Sequence, residues 1–161
     1  MLTLILVGLL IFDIVLLFHK KGLASKRLLP EKLSNGDDNP IQIEINNNYN
    51  FKIQLNLIDE LPFQYQKRDF EIETEIKAGD KKKITYTLRP LERGEYHFGN
   101  LNIYVSSPIQ FVAKRYQFGN LAMVPNYPSF LQLRKYMLMA FSNKLFEFGL
   151  KKIRRIGHTM E

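Results

Sequence analysis

Apolar and polar residues alternate along most of the chain from Pro40 onward. Ile41, Ile43 and Ile45 are each followed by a polar residue. A period of two is the pattern of a strand that is buried on one face. Further alternating runs begin at Phe51, Phe70, Ile84, Tyr96, Gln110 and Leu121. About seven short strands at near-regular spacing predict a mainly β fold, an immunoglobulin-like antiparallel β-sandwich over residues 40–128.

Short turns between neighbouring runs predict which strands pair. The runs 41–45 and 51–57 flank an Asn-rich turn, which indicates a hairpin. The runs 70–76 and 84–88 flank a turn that contains glycine, so the glutamates of the first would face the lysines of the second across the solvent face. Gly99-Asn100 is expected to form a bulge or bend within one strand.

The N-terminal segment from Met1 to Phe18 is almost wholly apolar. A helix of 18 residues just reaches the thickness of a bilayer core, and His19-Lys20-Lys21 follows as at a cytoplasmic membrane edge. A cleaved signal peptide is the alternative, but it would carry its basic residues before the apolar run. The sequence therefore predicts a transmembrane helix over 1–18, an inner (cytoplasmic) membrane location, and the rest of the chain in the cytoplasm.

Asp13 is the ionisable residue within this apolar run. An ionisable group at membrane depth is costly and often functional. The sequence shows no second carboxylate or histidine that could form a proton relay with it. We therefore expect Asp13 to lie near the interface, or against a neighbouring helix in its neutral form.

Two further segments flank the predicted sandwich. Residues 19–39 are interpreted as a linker with a candidate edge strand over 23–29, and Asp37-Asp38 as turn formers rather than metal ligands. Beyond the sandwich, a capping-box serine and apolar spacings of three and four predict an amphipathic α-helix over 129–149. Residues 150–161 form a basic joint to a domain that would follow.

The net charge of +7 is concentrated near the end of the chain. Seven of the 23 Lys and Arg residues, and two of the 16 acidic residues, lie within 129–161. The sandwich region is close to neutral, which argues against a nucleic-acid partner. The dense cluster consists of Lys151, Lys152, Arg154 and Arg155. Solubility or partner docking is the first interpretation of this cluster, and anionic lipid contact is the second.

No catalytic or metal-binding pattern is present in the sequence. Cysteine is absent, and His19, His97 and His158 share no metal-ligand spacing. A phosphate-binding loop, a nucleophile elbow and a Ser-His-Asp set are also missing. We therefore expect a non-enzymatic chain with no cofactor.

Several motifs in order resemble the front part of a domain of unknown function 58 family protein of the Bacteroidetes kind. The matching stretches are 28–36, 59–62, 88–99, Ser107-Pro108, 124–128 and 153–161. The last of these leads into the family's signature region. The resemblance implies a membrane anchor, an immunoglobulin-like sandwich and a following von Willebrand A-like domain that this sequence does not contain. It also implies an association with MoxR-type AAA+ ATPases, and no enzymatic activity.

The resemblance leads to a functional expectation. The chain is expected to be a membrane-anchored scaffold or adaptor module that works with a MoxR-type AAA+ ATPase and other membrane proteins, with the lipid bilayer as a further partner. The alternative is an exported, surface-anchored binding module. A third and weaker possibility is an enzyme completed by a domain beyond residue 161.

Overall fold

The computed structural model describes residues 1–67, 70–119, 121–129 and 133–141. The helices in these ranges are α1 (Leu2–Phe18) and α2 (133–141), with a 3-10 turn at Phe63–Tyr65. The strands are β1 (Leu23–Leu28), β2 (Leu33–Ser34), β3 (Asn39–Asn47), β4 (Ile53–Asp59), β5 (Glu71–Ile76), β6 (Lys81–Leu88), β7 (Gly94–Phe98), β8 (Leu101–Ser106), β9 (Ala113–Phe118) and β10 (Ala122–Tyr127).

The described strands form three sheets, with the orders β1-β3-β6, β2-β10-β7 and β5-β4-β8-β9. Neighbouring strands are antiparallel except β2 and β10, which are parallel. The predicted mainly β sandwich is confirmed. The candidate edge strand near residue 23 forms as β1, which pairs with β3 along its whole length.

The hydrophobic core consists of two clusters, and β3 contributes to both. Ile43 and Ile45 pack with inward residues of β4 and β8 in the larger cluster. Ile41 packs with residues of β6, β7 and β10 in the smaller cluster. Tyr86 of β6 packs against both clusters. The sheet β1-β3-β6 is therefore one layer of the sandwich, and the other two sheets face it side by side.

The hairpin predicted for the runs 41–45 and 51–57 is wrong, and so is the pairing predicted for the runs 70–76 and 84–88. β3 pairs with β1 and β6, while β4 pairs with β5 and β8. β5 and β6 also lie in different sheets, so the glutamates of β5 do not face the lysines of β6 across a ladder. The turns after β3 and β5 carry the chain from one layer to the other. Alternation of apolar residues shows which face of a strand is buried, but it does not identify the neighbouring strand.

One buried side chain holds both of these crossovers together. The Asn47 amide nitrogen donates to the carbonyl oxygens of Phe51, Ile76 and Lys77 at 3.0, 3.3 and 2.8 Å. Its side-chain oxygen accepts from the Tyr49 N–H at 2.9 Å. Asparagine can make these contacts because it offers two donors and one acceptor in a short side chain. The Asn-rich turn is therefore a corner between layers rather than a hairpin.

The expected bend at Gly99 also moves the chain between sheets. β7 before it pairs with β10, and β8 after it pairs with β4 and β9. Glu60 fixes this corner, because its carboxylate accepts from the Asn100 N–H and from the Asn102 amide, both at 2.8 Å. A Cβ built on Gly99 would lie 2.5 Å from Glu60 Oε2 and 2.7 Å from Glu60 Cβ. Glycine is thus required by the close approach of Glu60.

The transmembrane helix predicted over 1–18 is wrong, and the inner-membrane location that rested on it is wrong with it. Within the described residues, no helix combines the length and the apolar character needed to cross a bilayer. α1 has 17 residues, and its C-terminal part packs against the sandwich. Asp13 and Leu17 are buried against the sandwich, so the last turns of the apolar run serve as protein core.

The helix predicted over 129–149 is described only as α2, where every residue is exposed. The Ser129 hydroxyl, expected to cap this helix, donates to Asp37 at 2.6 Å. Asp37 also accepts from Ser34 at 2.5 Å, and these hydrogen bonds lower its pKa. Asp37 thus holds the turn after β2, as a turn former would. The rest of the predicted helix and the basic joint at 150–161 lie outside the described residues.

The Gly99 corner provides a test of this topology. Gly99→Ala is expected to lower the free energy of unfolding by about 1–3 kcal/mol, because the added methyl group displaces Glu60 from its two hydrogen bonds. Gly119→Ala is the matched control, since its Cβ would meet only Asn100 Oδ1, at 3.6 Å. Urea denaturation followed by circular dichroism measures both variants. Equal stability of the two would contradict the assigned corner.

Candidate functional site

The C-terminal half of α1 is fixed to the sandwich by a cluster of polar contacts. We call this cluster the helix-docking site, and it consists of Asp13, Leu17, Tyr49, Lys114 and Tyr116. The five residues come from α1, from the corner between β3 and β4, and from β9. Leu17 is completely buried and belongs to the larger core cluster. The site therefore joins a helix to the sandwich through both apolar and polar contacts.

Asp13 anchors the helix to the loop between β8 and β9. Its Oδ2 accepts hydrogen bonds from the backbone N–H groups of Phe111 and Val112, both at 3.0 Å. Gln110, just before them, has a left-handed φ of 63°, and the two N–H groups after it converge on one oxygen. Two such bonds to a carboxylate are a strong backbone anchor. The neighbour of Asp13 is thus a loop of the sandwich, rather than the second helix or interface expected.

The carbonyl groups at the C-terminal end of α1 accept hydrogen bonds from side chains of the sandwich. The Leu17 carbonyl accepts from the Tyr49 hydroxyl and from Lys114 Nζ, each at 2.8 Å. Lys114 Nζ also donates to the Lys20 carbonyl at 3.1 Å and lies 4.9 Å from the centre of the Phe18 ring. The last carbonyls of a helix lack partners within the helix, and a cation stabilises that end. Lys114 supplies both the donors and the charge.

Two tyrosine hydroxyls extend this network to the linker after α1. The oxygens of Tyr49 and Tyr116 are 2.7 Å apart, and Tyr116 accepts from the Gly22 N–H at 3.1 Å. Burial, together with the Tyr116 hydroxyl, raises the pKa of Tyr49, so this phenol stays neutral. A side chain on Gly22 would overlap the Tyr49 ring. The linker is therefore held closely against the sandwich at the point where it leaves α1.

A second polar cluster lies where the two core clusters meet. Arg27 of β1 forms an ion pair with Asp59, the last residue of β4, and both side chains are 1% exposed. Arg27 also donates to the Gly99 carbonyl at 2.9 Å and lies over the Phe98 ring at 5.2 Å. The other oxygen of Asp59 accepts from the Tyr86 hydroxyl. We call this cluster the interlayer ion pair, because it joins β1 and β6 of one layer to β4 of the other.

Burial dominates the electrostatics of this pair. Burial raises the pKa of Asp59, while the Arg27 guanidinium and the Tyr86 hydroxyl oppose that change. Burial also raises the pKa of Tyr86, and the adjacent Asp59 charge adds to it. Tyr86 therefore remains a neutral donor. The side chains of Arg27 and Asp59 are almost completely buried, so this cluster organises the fold.

The glutamates of β5 lie on the outer face of the four-stranded sheet, as the alternation predicted. Glu75 forms an ion pair with Lys52 at 2.6 Å, which lowers its pKa. Glu73 and Glu75 line an open groove of about 510 Å³ together with Gln54, Asn56 and Ser106. Over the described ranges, no three His, Cys, Asp or Glu side chains come close enough together to hold a metal ion. The groove has the character of a solvated strand face.

Apart from Asp13, the residues that form the described sites were not proposed as contact residues from the sequence. Lys151, Lys152, Arg154 and Arg155 lie outside the described residues, so their role stays a prediction. Asp13 was singled out by its position in an apolar run, and it is central to the docking site. Asp59 could have been found, because it continues the inward positions Ile53, Leu55 and Leu57 in steps of two. The sequence offers no comparable signal for Lys114 or Tyr49.

Comparisons with known proteins yield similar structures only. No family model and no curated protein matches the chain. A PapD-like domain of human CEP192 is 12% identical, with a TM-score of 0.49, over 67% of this chain and 87% of that one. The CARDB domain of PF1109 from Pyrococcus furiosus is 12% identical, with a TM-score of 0.42, over 65% of this chain and 87% of that one. The C-terminal domain of wzt is 13% identical, with a TM-score of 0.44, over 68% of this chain and 76% of that one. With every TM-score below 0.5, these likenesses carry no argument about function.

The interlayer ion pair provides a second prediction. Asp59→Asn is expected to cost about 3–5 kcal/mol in the free energy of unfolding, because it leaves the Arg27 charge buried without its counter-charge. Tyr86→Phe should cost less, about 1.5–3 kcal/mol, since one hydrogen bond to the carboxylate is lost. Guanidinium denaturation measures both changes. A smaller loss for Asp59→Asn than for Tyr86→Phe would show that the charge pair is not the main constraint.

The helix-docking site provides a third prediction. Lys114→Met is expected to cost about 1–3 kcal/mol, because the Leu17 and Lys20 carbonyls lose a charged donor. Amide hydrogen exchange should accelerate most in the last turns of α1 and least in β3. Lys81→Met is the matched control, since Lys81 is an exposed lysine on β6. Similar exchange rates in the two variants would show that Lys114 does not hold α1 against the sandwich.

Proposed function

We propose that this chain is a non-enzymatic scaffold or adaptor module that works with a MoxR-type AAA+ ATPase. The observation that carries the scaffold part is the fixed orientation of α1 on the sandwich. Asp13, Leu17 and Lys114 hold the helix at three points along its C-terminal half. A module that holds one element at a defined angle to another can position partners, which is what a scaffold does.

The remaining geometry supports the same proposal. The polar clusters described above are used in holding elements together, and the groove beside Glu73 and Glu75 is open and solvated. The free part of α1, in contrast, exposes large apolar side chains from Leu2 to Phe12. Exposed apolar surface of this kind marks interaction sites. The module thus offers binding surface rather than a reaction centre.

The ATPase partner comes from the resemblance to the domain of unknown function 58 family. Its support is the ordered set of motifs, which includes the corner residues from Asp59 to Pro62 and the stretch that ends at Gly99. These motifs include residues of the interlayer ion pair and of the Gly99 corner, so the resemblance extends to residues that stabilise the fold of the module. The alternative, an exported binding module, would share this fold and differ in its partner.

Distance measurements between spin labels test the scaffold part. The chain has no cysteine, so a variant that carries both Ile11→Cys on α1 and Thr85→Cys on β6 can be spin-labelled at these two positions. The labelled protein is diluted with unlabelled chain, so that only distances within one chain are measured. We expect a single narrow distance distribution, because the docking site fixes α1. Lys114→Met, added to this pair, should broaden the distribution. A broad distribution in the chain that keeps Lys114 would contradict a scaffold with a fixed helix.

Binding measurements test the ATPase part separately. The purified chain is immobilised, and the purified MoxR-type ATPase of the same organism is passed over it with and without nucleotide. We expect saturable binding that Asp59→Asn weakens through loss of the fold. An unrelated AAA+ ATPase of similar size is the control. Absence of binding, or equal binding of the control, would reject this partner while leaving the scaffold geometry intact.

A further inference from the structure

Two sheets of the sandwich end along the same side of the molecule. β6 is the last strand of the sheet β1-β3-β6, and β5 is the first strand of the sheet β5-β4-β8-β9. The short turn from Lys77 to Asp80 keeps these two strands next to each other in opposite layers. The Lys82 side chain spans the gap, since its Nζ donates to the Glu75 carbonyl at 3.3 Å. One side of the molecule therefore presents two strand edges, one above the other.

The edge of β5 presents backbone groups that its own ladder does not use. The Glu75 carbonyl accepts from Lys82, so it points away from β4. In an antiparallel pair, a residue whose carbonyl points away also turns its N–H away, and alternate residues do the same. Glu71 and Glu73 thus present their backbone groups at this edge as well. An edge of this kind can accept a further strand, and Lys82 is a flexible side chain that a strand can displace.

The two edges carry opposite charges on their outer faces. Glu71, Glu73 and Glu75 are exposed on β5, and Lys81 and Lys83 are exposed on β6. Like charges that lie directly opposite each other across two strands are destabilising, whereas opposite charges stabilise the pair. Two β6 edges would therefore repel each other, and so would two β5 edges. A β5 edge beside a β6 edge is the combination that these charges favour.

The inward residues of the two edges match each other in the same register. Ile72 of β5 and Ile84 of β6 pack against the larger core cluster, but each is only partly buried. In an antiparallel ladder that pairs Ile72 with Ile84, Glu73 lies opposite Lys83, and the next glutamate lies opposite the next lysine. One register thus places apolar residues together on the inner face and opposite charges together on the outer face.

We propose that two copies of this chain pair side by side, with β5 of each copy joined to β6 of the other in an antiparallel ladder. Within one chain this complementarity is unused, because β5 and β6 lie in different sheets. The occupant of the two edges is thus a second copy, whose edges match both in charge, in apolar residues and in strand direction. This proposal goes beyond the scaffold function and does not depend on the ATPase.

The symmetry of such a dimer agrees with the proposed register. A two-fold rotation about an axis parallel to the strands exchanges the two layers, so it brings both β5–β6 pairs together at once. The same rotation keeps every residue at its level along the strands, and the short turn places Ile76 and Lys81 at nearly the same level. Pairing of Ile72 with Ile84 requires that arrangement to within about one residue. Two-fold dimers of this closed kind are the commonest protein assemblies.

Charge reversal followed by sedimentation equilibrium of the full chain tests the proposal. We expect a species of twice the chain mass of 18.9 kDa. Glu73→Lys and Lys83→Glu, each made alone, should raise the Kd of the dimer about tenfold, because like charges then meet at both ladders. An equimolar mixture of these two variants should dimerise as tightly as the unaltered chain, since each variant then meets the opposite charge in its partner.

Two further variants are the matched controls for this experiment. Glu95→Lys on β7 and Lys26→Glu on β1 make the same charge changes at exposed positions away from the two edges, and both should keep the Kd of the unaltered chain. A mass of one chain for the unaltered protein would overturn the proposal. Association through α1 instead would give equal masses for all variants and for the mixture, and that result would overturn the proposal as well.

Disulfide formation tests the register between the two copies. The chain has no cysteine, so Glu71→Cys and Thr85→Cys, which the register places opposite each other, can be introduced together. Within one chain the two positions lie on opposite outer faces of the sandwich, too far apart for a disulfide. We expect oxidation to link two chains several-fold more efficiently than in the control, which carries Glu71→Cys with Thr87→Cys. Equal yields for the two variants would overturn the proposed ladder.

Discussion

The buried ion pair between Arg27 and Asp59 is the constraint on which the two layers depend. It lies at the junction of the two core clusters, where Tyr86 packs against both. A buried pair of this kind adds little net stability over an apolar contact, but each charge requires the other. The pair therefore permits one arrangement of β1, β4 and β6, because any slip of a strand would leave a charge buried alone.

The corners of the sandwich follow the same principle. Asn47 satisfies three carbonyl groups where β3 and β5 leave their sheets, and the Glu60 carboxylate satisfies the Asn100 N–H in the turn between β7 and β8. Buried backbone groups must find partners, and at a corner no neighbouring strand provides them. Short polar side chains take that place. The helix-docking site does the same for the end of α1, through Lys114 and Tyr49.

This dependence explains how α1 can be both anchored and available. Its C-terminal half is held by polar contacts whose geometry is specific, while its N-terminal half is apolar and exposed. Polar anchors fix an angle, whereas apolar surface supplies affinity without direction. A helix built in this way presents an apolar surface in a fixed orientation relative to the sandwich. The proposed scaffold function rests on that division within one helix.

The sequence by itself determined which faces of the strands are buried, because alternation with period two requires no knowledge of partners. It also marked Asp13 as unusual, and it placed turns at the corners. Only the tertiary structure decided that those turns join layers rather than form hairpins, and that the apolar run ends in the protein core. The physical reason is that strand pairing and helix docking depend on contacts between residues far apart in the chain. Lys114 and Leu17 are such a pair, and local patterns carry no record of it.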